Sequence, residues 1–138
     1  MVAMEDTVGH GISDGGNAKA MYKQYGGGVY IQAGSFSMSN GTISNNTTNF
    51  GGAVCVQVGT FSMTGGTISG NTAIISGGGV HLSGAWEARN TFNMSGGTIT
   101  SNTAHEFGGG VDMSSRAIFN KSGGTIIQGV YRVTNNKR

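Results

Sequence analysis

The sequence contains no proline, a single cysteine, a single tryptophan and few charged residues. Cys55 has no partner for an internal disulfide, which excludes a small fold held together by disulfide bonds. Asp, Glu, Lys and Arg make up 10% of the chain and leave a formal net charge of +2. Because these charges are scattered, they form no basic stripe that could follow a phosphate backbone. We therefore expect no nucleic-acid partner.

Long apolar runs are also missing. No run approaches the roughly 18 apolar residues of a membrane-spanning helix, so we expect no membrane insertion by this segment. The N-terminal sequence "MVAMEDTVGHGISDGG" lacks the apolar core of a secretory signal peptide. Export, if it occurs, would depend on a signal that this sequence does not show.

Glycine, by contrast, is abundant, with 27 residues, and much of the remaining polarity comes from Ser, Thr and Asn. Such a composition can indicate disorder, but apolar residues recur here at fixed places, which favours an ordered fold. The sequence "FSMTGGTISGNTA" from Phe61 is a close copy of "FSMSNGTISNNTT" from Phe36. Further copies begin at Phe92 and Phe119. The chain is therefore an array of related units.

The spacing of the copies sets the size of one unit. The Gly-Thr-Ile motif begins at Gly41, Gly66, Gly97 and Gly124, which are 25, 31 and 27 residues apart. A period in this range is typical of stacked units, each too small to bury its own apolar face. Within a unit apolar and polar residues alternate, and no helical period of useful length is present, which predicts short strands with one buried face.

These patterns predict an all-β fold, a right-handed parallel β-helix in which one chain coils into a solenoid. We expect about four to five coils of about 25 residues, with three short strands in each. Residues 1–24 are predicted to form a degenerate N-terminal coil or a cap, and residues 25–138 the repeats. The absence of proline fits this fold, because nearly every backbone N–H must reach the neighbouring coil.

The alignment also predicts which side chains stack inside the solenoid. Asn46, Asn71 and Asn102 fall at a corner, where Asn tolerates the left-handed conformation and stacked amides can bond from coil to coil. Apolar side chains of one type recur at each inward position. The predicted columns are Val29, Val54, Val80 and Val111; Ile31, Val56, Leu82 and Met113; Phe36, Phe61, Phe92 and Phe119; Met38, Met63 and Met94, ending at Lys121; and Ile43, Ile68, Ile99 and Ile126.

Two motifs carry a family resemblance. The first is Gly51-Gly52-Ala53-Val54, and the second is an Ile followed three residues later by Asn, at Ile43, Ile68 and Ile99. They resemble the Gly-Gly-Ala-Ile and Phe-x-x-Asn repeats of bacterial surface β-helix proteins, namely polymorphic outer membrane proteins and autotransporter-adhesin passengers, although this chain has Ile where the family has Phe. Over about residues 25–130, the resemblance implies a surface-displayed adhesin or rigid stalk.

One outward column has the composition of a reactive site. It reads Tyr30, Cys55, His81 and Asp112, in successive coils about 5 Å apart. A thiol, an imidazole and a carboxylate at such distances match a nucleophile with its base and orienting group, or a zinc site. The other interpretation is that outward positions of a degenerate repeat vary freely, and we favour it.

Enzymatic breakdown of polysaccharides needs clustered carboxylates for calcium binding or acid–base chemistry. The acidic residues here are scattered except for one adjacent pair near the N-terminus, so we expect a protein that is not an enzyme and that uses no cofactor or metal. The complete set is Glu5, Asp6, Asp14, Glu87, Glu106 and Asp112.

Two surfaces are candidates for ligand binding. The third repeat contains about five additional residues around Ser83–Thr91, which we interpret as a surface loop, a common location for function. This loop carries Trp86, Glu87 and Arg89. The second surface is a row of hydroxyl groups that includes Thr42, Thr67 and Thr98, which resembles an ice-binding face, although exposed Thr is also an ordinary strand residue. A further column is open to two interpretations, sugar stacking or corner packing; it contains Tyr25, Phe50 and Phe107.

The sequence is best explained by a non-enzymatic structural or adhesive module of a bacterial surface or extracellular protein. Its repeats lack strong caps, so we expect homo-oligomers formed by coil stacking, or continuation into a longer parent chain. Its ligand would be a host surface or a glycan. The alternatives are a carbohydrate-binding or carbohydrate-cleaving domain acting through the Trp86 loop, and an ice-binding protein.

Overall fold

The computed structural model describes residues 2–8, 28–83, 90–114, 116–127 and 130–132, with the backbone alone described for residues 2–8, 32–33 and 130–132. Within these ranges the chain forms β-strands and no helix. The strands are β1 (Val2–Val8), β2 (Val29–Met38), β3 (Thr42–Ser44), β4 (Thr47–Phe50), β5 (Val54–Val56), β6 (Gly59–Met63), β7 (Thr67–Ser69), β8 (Thr72–Ser76), β9 (Val80–Leu82), β10 (Asn90–Met94), β11 (Thr98–Thr100), β12 (Thr103–Ala104), β13 (Val111–Met113), β14 (Ile118–Lys121), β15 (Thr125–Ile126) and β16 (Val130–Arg132).

The strands pair in parallel and stack into a β-solenoid, so the predicted fold class is confirmed. The largest sheet runs in the order β14-β10-β6-β2-β5-β9-β13-β16, with β1 paired to β2. A second sheet contains β15, β11, β7 and β3, and a third contains β12, β8 and β4. The second and third sheets therefore take one strand from each successive turn, and the largest sheet takes two.

A full turn contains four strand positions, one more than the alternation predicts. The N-terminal part of β2, β5, β9 and β13 occupy the first, and the C-terminal part of β2, β6, β10 and β14 the second. The third is formed by β3, β7, β11 and β15, and the fourth by β4, β8 and β12. The long β2 spans two positions that later turns divide between two strands.

The solenoid has about three turns, fewer than the four to five coils predicted. The last turn has no described strand at the fourth position, because only residues 127–129 separate β15 from β16, whereas nine or ten residues make that connection in earlier turns. At the other end, only β1 of the predicted N-terminal coil is described, and residues 9–24 lie outside the described residues. Its pairing places Val2 beside Val29.

The predicted inward columns are confirmed by strand register and burial. Phe36 pairs with Phe61, Phe61 with Phe92, and Phe92 with Phe119. The rings stack nearly parallel, with centroids 5.8, 4.8 and 4.9 Å apart. The Val, Ile and Met columns are buried beside them, whereas Phe119 and Ile126 in the last turn are only partly buried. Apolar burial between identical neighbours is thus the main stabilising term.

The asparagine column lies inside the corner, and its amides bond from turn to turn as predicted. Asn46 Nδ2 donates to Asn71 Oδ1 at 3.1 Å, and Asn71 Nδ2 donates to Asn102 Oδ1 at 2.9 Å. The left-handed conformation, however, belongs to the preceding residue of each turn, with φ of 61° at Asn45, 70° at Gly70 and 59° at Ser101. The corner bends one residue earlier so that the Asn side chain can turn inward.

Glycine is required where the chain passes from the second strand position to the third. Gly97 has a φ of 90°, and a Cβ there would lie 2.7 Å from Met63 Cε and 2.9 Å from the Gly66 carbonyl oxygen. Both the backbone conformation and the space therefore exclude a side chain. This explains why glycine recurs before each Thr-Ile pair.

Candidate functional site

The predicted reactive column is assembled by the first strand position. Cys55 pairs in register with His81, and His81 with Asp112, while Tyr30 precedes them and the backbone of Tyr131 follows. These residues alternate with inward Val and Leu side chains, so they lie on the outer side of the sheet. The structure therefore brings together the residues that the sequence aligned.

Two members of the column form a direct contact. His81 Nδ1 lies 2.8 Å from Asp112 Oδ2, with side-chain exposures of 13% and 5%. The ring of Phe50 covers the imidazole, at a centroid distance of 5.1 Å. The second oxygen, Asp112 Oδ1, is buried and accepts no hydrogen bond from the described residues. This is a shielded imidazole–carboxylate pair that ties two successive turns together.

The thiol does not join this pair. Cys55 is fully buried, and burial raises its pKa far above the ordinary value of a thiol. The structure describes both Cys55 and His81, and no hydrogen bond links the two side chains. A thiol is a nucleophile only as the thiolate, so the column has an imidazole and a carboxylate in contact but no ionised sulfur beside them. Among the described residues, no group of three His, Cys, Asp or Glu side chains is arranged to hold a metal ion.

The buried thiol predicts a loss of stability at alkaline pH. The folded-state pKa lies above the unfolded value of about 8.5, so its contribution is complete below about pH 8.5 and is lost as pH rises. By about pH 10 the free energy of unfolding should fall by about 2 kcal/mol from this group alone. Urea unfolding across pH, compared between the wild type and Cys55→Ala, measures the effect as a difference. If the free energy of unfolding changed with pH in the same way in the wild type and in Cys55→Ala, the burial of Cys55 would be contradicted.

The predicted hydroxyl row lies on the third strand position. Thr42, Thr67 and Thr98 pair in register, and Thr125 follows them in the last turn. A second row is formed by Ser44, Ser69 and Thr100. The two rows flank the buried Ile column and, with the exception of the exposed Thr125, are half-buried. We call these seven residues the threonine face.

The predicted loop residues Trp86, Glu87 and Arg89 lie outside the described residues. The residue that follows the loop, Asn90, is fully buried, and its Nδ2 donates to the carbonyl oxygens of Val56 at 3.0 Å and Gln57 at 3.2 Å. Sequence reasoning missed this anchor. A signal was present, because the equivalent position in the two preceding turns is Gly34 or Gly59.

The predicted aromatic column is only partly described. Phe50 pairs with Ser76, which forms a bridge with Phe107. Phe50 packs on His81, whereas Phe107 is exposed, and Tyr25 lies outside the described residues. Phe50 thus has the corner-packing role, and the two aromatic side chains are separated by a serine.

Comparisons with known proteins give no assignment: no family model, no curated protein and no solved structure matches this sequence.

Within the described ranges, the chain has no helix of the length and apolar character needed to span a bilayer.

Proposed function

We propose that the protein is a non-enzymatic structural or adhesive module of a bacterial surface or extracellular protein, able to associate end to end. The observation that carries this proposal is the repetition of the same interior contacts in every turn, with sheets whose outermost strands have no described neighbour. Such an array transmits load along its axis and offers repeated side faces. The Gly51–Val54 motif and the Ile-x-x-Asn corners support a relationship with surface β-helix repeats.

Stiffness follows from contacts that cross every turn boundary. The four Phe rings stack on one another from turn to turn, and Asn71 bonds to the corners on both sides of it. Because the backbone hydrogen bonds of parallel strands also run along the axis, bending the rod would break several kinds of contact at once. A stiff spacer with few charged side chains suits a stalk or an adhesin.

The absence of catalysis is supported by the state of the reactive column. The Cys55 thiol is buried with a raised pKa, and the His81–Asp112 pair is covered by Phe50. General acid–base chemistry requires the acting group to reach a substrate proton. These residues instead fasten one turn to the next.

Surface display is tested on intact cells of the source organism. Antibodies against the purified protein should label unpermeabilised cells, and brief protease treatment of intact cells should remove the label. Beads coated with the protein should bind glycan-coated or host-cell surfaces, and Thr67→Lys with Thr98→Lys should weaken that binding. The exposed pair Thr64→Lys and Ser95→Lys is the matched control. Labelling that appears only after lysis would refute the surface role.

Ice binding is a second candidate, favoured by the register of the threonine face. Hydroxyl groups repeat about 4.8 Å apart between turns and about 6.6 Å apart along each strand, because alternate residues share a face. A flat two-dimensional array of this kind can order water. The wild type is then expected to show thermal hysteresis at millimolar concentration, and Thr67→Lys to abolish it while Thr64→Lys does not. No hysteresis in the wild type would eliminate this candidate.

A further inference from the structure

Charged residues are segregated along the sequence. Residues 1–18 contain three acidic side chains and no basic one, residues 24–86 contain no Asp, Glu, Lys or Arg, and residues 113–138 contain five basic side chains and no acidic one. Lys19 and Lys23 separate the first two segments and lie outside the described residues. The chain thus has an acidic beginning, a long uncharged middle, a short mixed segment with Glu87, Arg89, Glu106 and Asp112, and a basic end.

The fold places the acidic and the basic segments at opposite ends of the rod. Glu5 and Asp6 belong to β1, which pairs with β2 and has no described strand on its outer side. Lys121 belongs to β14 and Arg132 to β16, the two strands that end the path of the same sheet. Glu5 and Asp6 therefore lie at one end of the largest sheet and Lys121 and Arg132 at the other, where the neighbouring strand β13 also carries Asp112, in contact with His81.

The strands β1 and β16 each begin with a valine in register with the valines of the first strand position. Val2 of β1 pairs with Val29, and Val130 of β16 pairs with Val111. Both strands therefore lie at the first strand position and run in the same direction. A second copy whose β1 is laid on β16 would continue the parallel sheet and its valine column without a change of register.

Exposed apolar side chains are concentrated at the basic end. Of the five large apolar side chains exposed in the described residues, Ile118 and Ile127 belong to the last turn, with Ile127 the most exposed at 61%, and Phe107 lies at the end of the turn before it. An exposed strand edge with apolar side chains is a template for pairing with another chain. Within the part of the chain that the structure describes, the last turn therefore combines an unpaired strand edge, exposed apolar side chains and basic residues.

We propose that the protein assembles head to tail, with the acidic β1 end of one copy bound to the basic β14–β16 end of a second copy. This inference rests on the proposed structural function and adds the polarity and the residues of the contact. The contact joins two different surfaces, so it does not close on itself and gives an open filament. Attraction between the ends brings the copies together, and backbone hydrogen bonds with apolar burial then hold them.

The test is sedimentation velocity of the purified protein over a range of concentrations. At about 0.01 M salt, where the Debye length is about 30 Å, the average mass should grow with concentration; at about 1 M salt, where it is about 3 Å, the growth should be much reduced. Two charge-reversed proteins are prepared, an acidic-tail variant with Lys121→Glu, Arg132→Glu, Lys137→Glu and Arg138→Glu, which leaves one basic and four acidic side chains in residues 113–138, and a basic-head variant with Glu5→Lys and Asp6→Lys. Each alone has two ends of the same sign and is expected to remain monomeric.

An equal mixture of the two variants is the decisive measurement. Every contact in an alternating filament then joins an acidic end to a basic end, so the mixture is expected to recover the mass distribution of the wild type. Recovery also shows that neither variant has simply failed to fold. Thr64→Lys with Ser95→Lys, which adds charge to the sides of the rod, is the control and should assemble normally.

Three results would overturn the head-to-tail contact. They are a wild type that stays monomeric at every concentration, assembly that neither salt nor charge reversal changes, and a mixture that stays monomeric. The second result would leave end-to-end association in place through other contacts. None of the three bears on surface display, which the labelling of intact cells decides separately.

Discussion

Replacing Phe61 with alanine is expected to lower the free energy of unfolding by about 3–5 kcal/mol, a large part of the stability of a domain of this size. Phe61 is fully buried and stacks between Phe36 and Phe92, at centroid distances of 5.8 and 4.8 Å. The substitution removes contacts with both neighbouring turns and leaves a cavity that rigid flanking strands cannot close. Urea unfolding followed by circular dichroism measures the change.

Phe119→Ala is the matched control. Phe119 is partly buried and stacks on Phe92 alone among the described rings. Its substitution therefore removes one ring contact, whereas the substitution of Phe61 removes two. Stability of a stacked array is approximately a sum over neighbouring turns, and we expect the cost at Phe119 to be about half of that at Phe61 or less. Equal costs at the two sites would show that the stack is not the stabilising unit.

The columns could be predicted from the sequence because each turn repeats the same side chain at the same place. Phe36, Phe61 and Phe92 each stand two residues before a Met and seven before an Ile, so a single alignment fixes three columns. Parallel pairing without a register shift then places like on like. The fold class follows from local period and repeat length alone.

The fourth strand position could not be predicted in this way. Its strands read "TTNF", "TAIIS" and "TA", which share no alternation and differ in length. They are strands because the corners before and after them bring their backbones beside the neighbouring turn, so tertiary context decides where local pattern does not. The same limit applies to Cys55, which stands at an outward position of the alternation and is nevertheless fully buried.

Asn71→Leu tests the other interior column, and we expect a loss on the order of 4 kcal/mol although the new side chain is apolar and of similar size. Asn71 Oδ1 accepts a hydrogen bond from the Asn46 backbone N–H at 3.0 Å, and its Nδ2 donates to the Ile43 carbonyl oxygen at 3.0 Å. Both partners lose a hydrogen bond in the variant, and each buried group left unpaired costs about 1–3 kcal/mol. The same unfolding measurement applies.

The exterior of the solenoid offers the matched control for this substitution. Asn120 Nδ2 donates to Asn93 Oδ1 at 2.9 Å on the exposed outer face, so Asn120→Leu breaks the same kind of amide bond where water can replace it. We expect a change of about 0.5 kcal/mol or less there. An Asn71→Asp variant adds a pH dependence, since an ionised carboxylate cannot donate to Asn102 Oδ1, whereas a protonated one can. It should therefore lose more stability at about pH 7 than at about pH 4. Equal losses for Asn71→Leu and Asn120→Leu would mean that the corner hydrogen bonds add nothing beyond the packing of the turns.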